Sequence, residues 1–364
     1  MRARYPDRDG TLERAGATIH YEVYEHDGPT VLLAPTWEIV HSRHWKMQIA
    51  YLSRHLRVVT YDPVGNGASS RSGDPARYGE RAVLEDLVAV LDETGTPTCV
   101  AVGFSRGGGL VTSLAALYPD RVDAVVAIAA SHPWGVPIDH TDDPRWQMYD
   151  PAFWRTDWRG FVEFFFGEVC SDPHSTKLWD DSVGWGMETT GEIIGHTQTG
   201  SVLDPAELEH AVRAIDVPVL LIHGTDDHVI PHASSVALQE MIPQAELLTL
   251  FGAGHFPAAR YPVRVNHAIL GFVDRVHGTR RPDTAWHRGH GRRKRALYIS
   301  SPIGLGHARR DVAIAAELRA VHPDVDIDWL AQDPVTRVLE VAGESIHPAS
   351  RFLANESAHI EAER

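Results

Sequence analysis

The pentapeptide Gly103-Phe104-Ser105-Arg106-Gly107 sets a serine hydroxyl between two glycines, a spacing suited to nucleophilic attack on a carbonyl. Before it, Cys99-Val100-Ala101-Val102 predicts a buried parallel strand. After it, the apolar stretch Gly108 to Leu117, closed by Tyr118-Pro119, predicts a helix. A serine at such a strand-to-helix turn is pushed out of the sheet edge into strained backbone, and the glycines give the room that a Cβ would deny. The helix N-terminus behind it offers free N–H groups and a positive dipole end to a developing oxyanion. A glycine-rich turn closing an ordinary βαβ unit would share the pentapeptide, so the surrounding elements decide between the two.

Those elements alternate. Ala17 to Tyr24 and Thr30 to Ala34 read as strands joined through the turn Asp27-Gly28-Pro29. Leu56 to Tyr61 is a third strand, and Arg81 to Leu91 a helix. The strand before Ser105, the helix after it and strand Val122 to Ala130 follow. Beyond a break from Ser131 to Asp216 come strand Val217 to Ile222, helix Ala233 to Met241, strand Glu246 to Leu250 and helix Val263 to Val276. Strand and helix in alternation imply a mostly parallel sheet covered by helices on both faces.

The break holds six of the ten tryptophans: Trp134, Trp146, Trp154, Trp158, Trp179 and Trp185. Phe161, Phe164, Phe165 and Phe166 lie among them. An aromatic insertion between two sheet strands suits a helical cap over the carboxyl ends of the strands. Most of these rings should form the cap's own core, and a minority should line a pocket.

Composition narrows the function classes. At 364 residues and 43% hydrophobic, the chain can bury a large core. A net charge of −15 disfavours nucleic acid or an anionic membrane as the main partner. Only Cys99 and Cys170 occur, which gives no disulfide framework and fits a reducing cytoplasm. Residues 1–10 are charged and lack an apolar signal core, and no apolar run reaches the ~18 residues of a membrane span. A soluble cytoplasmic protein is expected. His41-Ser42-Arg43-His44 comes close to ligand spacing, but no cysteine or carboxylate cluster completes it, so neither metal nor cofactor is expected. The Gly65 and Gly67 pair reads as a turn.

Four pieces in order resemble the α/β-hydrolase family over residues 15–277. They are the serine pentapeptide, the segment Leu221 to Pro231 containing Asp226-Asp227, the loop Gly252-Ala253-Gly254-His255-Phe256-Pro257, and the turn Asp62 to Ser69 preceding the serine. The resemblance implies an α/β-hydrolase fold with a catalytic triad of Ser105, Asp227 and His255. Among 22 histidines it selects His255 by its place after the last strand. It favours Asp227 as the acid, with three residues between it and Pro231, and Asp226 as the alternative. The oxyanion hole would use the backbone N–H of Arg106 and, by alignment, that of Trp37. The chain departs from the family there, since Pro35-Thr36 replaces the common His-Gly pair. Glu38, His41 and His44 on that loop could touch substrate, although structural or solvated roles fit each of them better.

The resemblance implies a cofactor-independent serine hydrolase cleaving a carboxylic ester or related acyl compound through an acyl-enzyme, with a small apolar or aromatic acyl group as its partner. Carbon–carbon bond hydrolysis, perhydrolysis and acyl transfer use the same triad, and a hydrolase-fold ligand receptor is the alternative of another class. The expected organisation is a hydrolase domain over residues 1–278 with its cap insertion at 131–216, a basic Pro/Gly-punctuated linker at 279–294, and a βαβ segment at 295–364. In that last segment, strand Ala296 to Ser300, tight turn Gly304-Leu305-Gly306-His307, helix Asp311 to Val321 and strand Asp326 to Leu330 resemble part of the N-terminal half of a two-lobed glycosyltransferase. The donor-binding lobe of that family has no counterpart here, so no glycosyl transfer is expected.

Overall fold

The computed structural model describes residues 4–132, 143–279, 294–300 and 305–353. The chain divides into two compact units, residues 1–281 and 282–364. Most of the expected linker, and Trp134, lie outside the described residues.

The first unit has eight strands: β1 (Arg8–Arg14), β2 (Ala17–Tyr24), β3 (Thr30–Leu33), β4 (Arg57–Tyr61), β5 (Cys99–Phe104), β6 (Val122–Ile128), β7 (Val219–Gly224) and β8 (Glu246–Leu250). They form one sheet in the order β1-β2-β4-β3-β5-β6-β7-β8. Among the described residues, only β1 with β2 and β2 with β4 pair antiparallel. From β4 through β8 the sheet is parallel. β2 and β3 are not neighbours, because β4 lies between them; the Asp27-Gly28-Pro29 turn therefore carries the chain across a strand and closes no hairpin.

The helices are α1 (Lys46–Leu52), α2 (Glu80–Glu93), α3 (Arg106–Leu117), α4 (Pro151–Thr156), α5 (Trp158–Val169) and α6 (Thr176–Gly186). Then come α7 (Gly191–Thr199), α8 (Pro205–Arg213), α9 (Ala233–Met241), α10 (Pro257–Arg260) and α11 (Pro262–Val276). Central strand β5 is buried throughout, and its residues alternate between two cores. Val100, Val102 and Phe104 join α1 and α11 on one face, while Cys99 and Ala101 join α2, α3 and α9 on the other. α11 buries Val265, Ile269, Phe272 and Val273, which a 3.6-residue period places on one stripe.

Helices α4 to α8 occupy the stretch between β6 and β7. Asp157 caps α5 by accepting the Gly160 N–H, and Asp204 caps α8 through Ala206 and Glu207. α5 turns Phe161, Phe165, Phe166 and Val169 inward, and these side chains belong to the same buried cluster as those of α1 and α11.

In the second unit, β9 (Lys294–Ile299), α12 (Leu305–Val321), β10 (Val325–Leu330), α13 (Val335–Val341) and β11 (Ser345–Ile346) build a parallel sheet in the order β11-β10-β9. Trp329 is its buried centre, stacked on Tyr298 and donating its indole N–H to Glu344. The expected tight turn at Gly304 to His307 is corrected: Leu305, Gly306 and His307 form the first turn of α12, and Gly304 lies outside the described residues. Ala308, Asp311 and Ala315 share the buried stripe of that helix. Packing at Ala308 outweighs the ~1 kcal/mol helix penalty of Gly306.

Candidate active site

Ser105 leaves the end of β5 with φ 55° and ψ −123°, a conformation that a non-glycine residue adopts only under constraint. The constraint is visible in its bonds. Its N–H donates to Ile128 O at 2.8 Å, and its carbonyl accepts from the Gly108 N–H at 2.9 Å. A Cβ at position 103 would stand 2.0 Å from Gly107 O, and one at position 107 would stand 2.3 Å from Pro35 O. Both glycines are therefore required by close backbone packing around the turn.

His255 and Asp227 converge on this serine. Ser105 Oγ lies 3.0 Å from His255 Nε2, and His255 Nδ1 lies 2.8 Å from Asp227 Oδ2. Asp227 Oδ1 accepts the N–H groups of Val229 and Ile230, each at 2.8 Å. Burial alone would raise this carboxyl's pKa, but the opposing charge of His255 and hydrogen bonds from His223 and His255 hold it well below the usual carboxylate range. Adjacent Asp226 is exposed and turned toward Thr225, so only Asp227 of the pair reaches His255.

Two residues around this line escape the sequence. His223, at the end of β7, sets Nε2 3.0 Å from Asp227 Oδ2 and Nδ1 2.7 Å from Ser235 Oγ. Its place beside the acid segment is legible, its contact is not. Asp172, between α5 and α6, accepts the Gly254 N–H at 3.1 Å and so ties the stretch between β6 and β7 to the loop that carries His255. Nothing local in the sequence marks Asp172.

On the other side of Ser105, Arg106 is the first residue of α3, and its N–H has no acceptor within the helix. The loop after β3 passes over it. Trp37 buries its ring against Tyr149, Trp154, Phe161 and Phe165, and its indole N–H donates to Thr197 Oγ1 at 2.9 Å. Glu38 is buried, and burial raises its carboxyl pKa against the opposing charge of Arg106. Arg106 Nη1 stands 3.7 Å from Glu38 Oε2, an ion pair too long for a hydrogen bond. Among the described residues, Glu38 Oε2 and Thr36 Oγ1 have no hydrogen-bond partner.

His41 reaches Glu188 at 3.3 Å, while His44 is a core ring lying 4.5 Å from Trp45. Burial pushes the His44 imidazole down to about 4. The turn after β4 is structural: Asp62 accepts the N–H groups of Ser42 and Ala68.

A cavity of about 810 Å³ opens onto Ser105. Trp37 and, from the stretch between β6 and β7, Trp146, Tyr149 and Phe165 line it, whereas Trp154, Phe161 and Phe166 are buried in the hydrophobic core. Along α3 its wall includes Arg106, Gly109, Leu110 and Ser113, which share one helical face, together with Gly107. At 1.5 Å rise per residue that face extends about 12 Å beyond the serine.

A mostly parallel eight-stranded sheet, with a serine at the sharp turn after β5 and a histidine and aspartate on the loops after β8 and β7, defines an α/β-hydrolase. The family model for the alpha/beta hydrolase fold matches residues 29–259, and the chain belongs to this family. It is 28% identical over 235 residues to a 2-hydroxymuconate semialdehyde hydrolase of Pseudomonas sp. (strain CF600), covering 63% of this chain and 81% of that protein. It is also 28% identical over 276 residues to a bifunctional esterase/perhydrolase of Acinetobacter calcoaceticus, covering 71% and 96%. Among solved structures, a bromoperoxidase from Bacillus anthracis superposes with a TM-score of 0.62 at 24% identity, covering 73% of this chain and all of that one. Among the described residues, no helix is long and apolar enough to cross a membrane.

Proposed function

We propose that the chain is a cofactor-independent serine hydrolase cleaving a carboxylic ester or related acyl compound, with Ser105 as nucleophile, His255 as base and Asp227 as the acid. The observation that carries this reading is the continuous line from Ser105 Oγ through His255 to Asp227, at 3.0 and 2.8 Å. His255 Nε2 takes the hydroxyl proton as Ser105 attacks the carbonyl, while Asp227 holds Nδ1–H and stabilises the imidazolium. The oxyanion is received by the backbone N–H groups of Arg106 and Trp37. His255 then returns the proton to the leaving group, and water activated by the same imidazole clears the acyl-enzyme. The relative described as an esterase/perhydrolase supports extending that last step to hydrogen peroxide as the attacking group.

In this reading residues 1–278 are the hydrolase domain with 131–216 as its cap, 279–294 link it to the rest, and no step uses the glycosyltransferase-like segment. The cavity lining favours an apolar or aromatic acyl group, and Glu38 offsets the charge of Arg106, so uncharged acyl groups suit it better. A fluorophosphonate should label Ser105, and Ser105→Ala should abolish both labelling and turnover of p-nitrophenyl esters. Labelling at another serine, or full activity in the variant, overturns the assignment.

A further inference from the structure

We propose that His223 is a positioning residue for the acid Asp227, acting through a second imidazole N–H on the oxygen that also holds His255. The inference rests on the serine hydrolase reading above and adds to the triad a residue that touches neither substrate nor Ser105.

Hydrogen-bond chemistry fixes the tautomer. His223 Nε2 faces two acceptors, Asp227 Oδ2 and Ile230 O, both at 3.0 Å, so Nε2 carries the proton. Nδ1 lies 2.7 Å from Ser235 Oγ, whose hydroxyl donates to it in the neutral ring. Both side chains are fully buried, at the end of β7 and in the first turn of α9. Asp227 thus accepts four hydrogen bonds: two backbone N–H groups on Oδ1 and two imidazole N–H groups on Oδ2. Four donors fill the acceptor sites of one carboxylate. Rotating the carboxylate breaks two bonds at either oxygen, so the His255 ring is held at the angle that aims Nε2 at Ser105.

The same bond has an electrostatic effect of known sign. A donor on Oδ2 draws off charge that Asp227 would otherwise present to His255, so His223 tempers the pull of the acid on that ring while it sets its orientation. The titratable groups around His223 are few. Asp227 lies on its own loop and His255 lies beyond it, and His232 ahead of α9 has its ring centroid 5.7 Å away. His232 Nε2 is engaged by Thr249 Oγ1 of β8 at 3.0 Å, and burial, with His223 beside it, pushes its imidazole toward the neutral form.

The test compares His223→Leu, which keeps bulk but no donor, with His223→Gln, whose amide can donate from nearly the same place. Activity is expressed per fluorophosphonate-labelled Ser105, so misfolded molecules do not count. His223→Leu should lower kcat by about tenfold, the worth of one hydrogen bond to a group whose partner gains charge in the transition state, with little change in KM. The acid limb of its kcat/KM profile should move to higher pH, because His255 then faces the undivided charge of Asp227. His223→Gln should restore both. Should His223→Leu fail to fold, Ser235→Ala, which frees the far side of the ring, should move kcat and the limb in the same directions by less. Unchanged kcat per labelled site together with an unmoved acid limb overturns the proposal. Absence of labelling at Ser105 in the unmodified protein instead overturns the serine hydrolase reading beneath it.

Discussion

The two sides of Ser105 are finished to different degrees. On the acid side both carboxylate oxygens of Asp227 are spoken for, and its side chain is sealed from solvent. On the cavity side Thr36 Oγ1 and Glu38 Oε2 are buried with no hydrogen-bond partner among the described residues, and Arg106 stands 3.7 Å from Glu38. A buried polar atom left unmet costs about 1–3 kcal/mol, so the contrast is energetic as well as geometric. Preorganised charge stabilisation needs the first arrangement, in which nothing has to move when the imidazolium forms. In the proposed reading, proton transfer uses the first arrangement, and the second is the side that would face the acyl group.

The sharpest way to break that contrast is at the acid. Asp227→Asn should cut kcat by roughly 10⁴-fold, as neutralising a triad acid does elsewhere. Asp226→Asn should stay within a few fold, because its carboxylate faces solvent and Thr225. Turnover of a short p-nitrophenyl ester by the two variants checks the ranking, and the reverse order would make Asp226 the acid.

Next in size is the cavity. Each methylene of the acyl chain that enters it should gain roughly 0.8 kcal/mol, so kcat/KM should climb from acetate to medium chains. Leu110→Trp, on the α3 wall, should flatten the climb while leaving acetate turnover close to its original value. A flat profile in the unmodified protein would mean that the acyl group does not use this cavity.

The smallest effect concerns Glu38 and tests the cavity side directly. Its folded pKa is raised above 4.5, so the fold disfavours its charged form. The sign follows from linkage: this carboxyl's contribution is intact below the unfolded pKa and is lost as pH rises through the folded pKa. Glu38→Gln should therefore raise Tm by about 2–4 °C at pH 7, corresponding to roughly 1 kcal/mol. Near pH 4 the gain should vanish. A lower Tm at pH 7 would show that the ion pair with Arg106 outweighs desolvation.

What the sequence reveals follows from the range of the contacts involved. Buried parallel strands announce themselves as unbroken apolar runs, and the serine turn, the acid segment and the histidine loop are each contiguous. β1 is missed because an edge strand of alternating charge, Arg8-Asp9-Gly10-Thr11-Leu12-Glu13-Arg14, carries little hydrophobic signal. Local pattern also suggests the turn at 304–307, where tertiary packing of Ala308 extends the helix instead. Asp172 holds Gly254 across 82 positions, and Trp37 meets Thr197 across 160. No periodicity reaches that far. His223 stands between the two cases: its neighbourhood is readable, while the side on which its ring turns is decided by Ser235 and Ile230.

The Trp37 indole sits at a junction between two jobs. Its N–H is given to Thr197 on α7 and its ring lies among Tyr149, Trp154 and Phe165, while its backbone is the proposed second donor to the oxyanion. Any shift of α7 away from the loop after β3 has to break the bond to Thr197 or carry Trp37 with it, so this side chain and the backbone beside Ser105 are mechanically one piece.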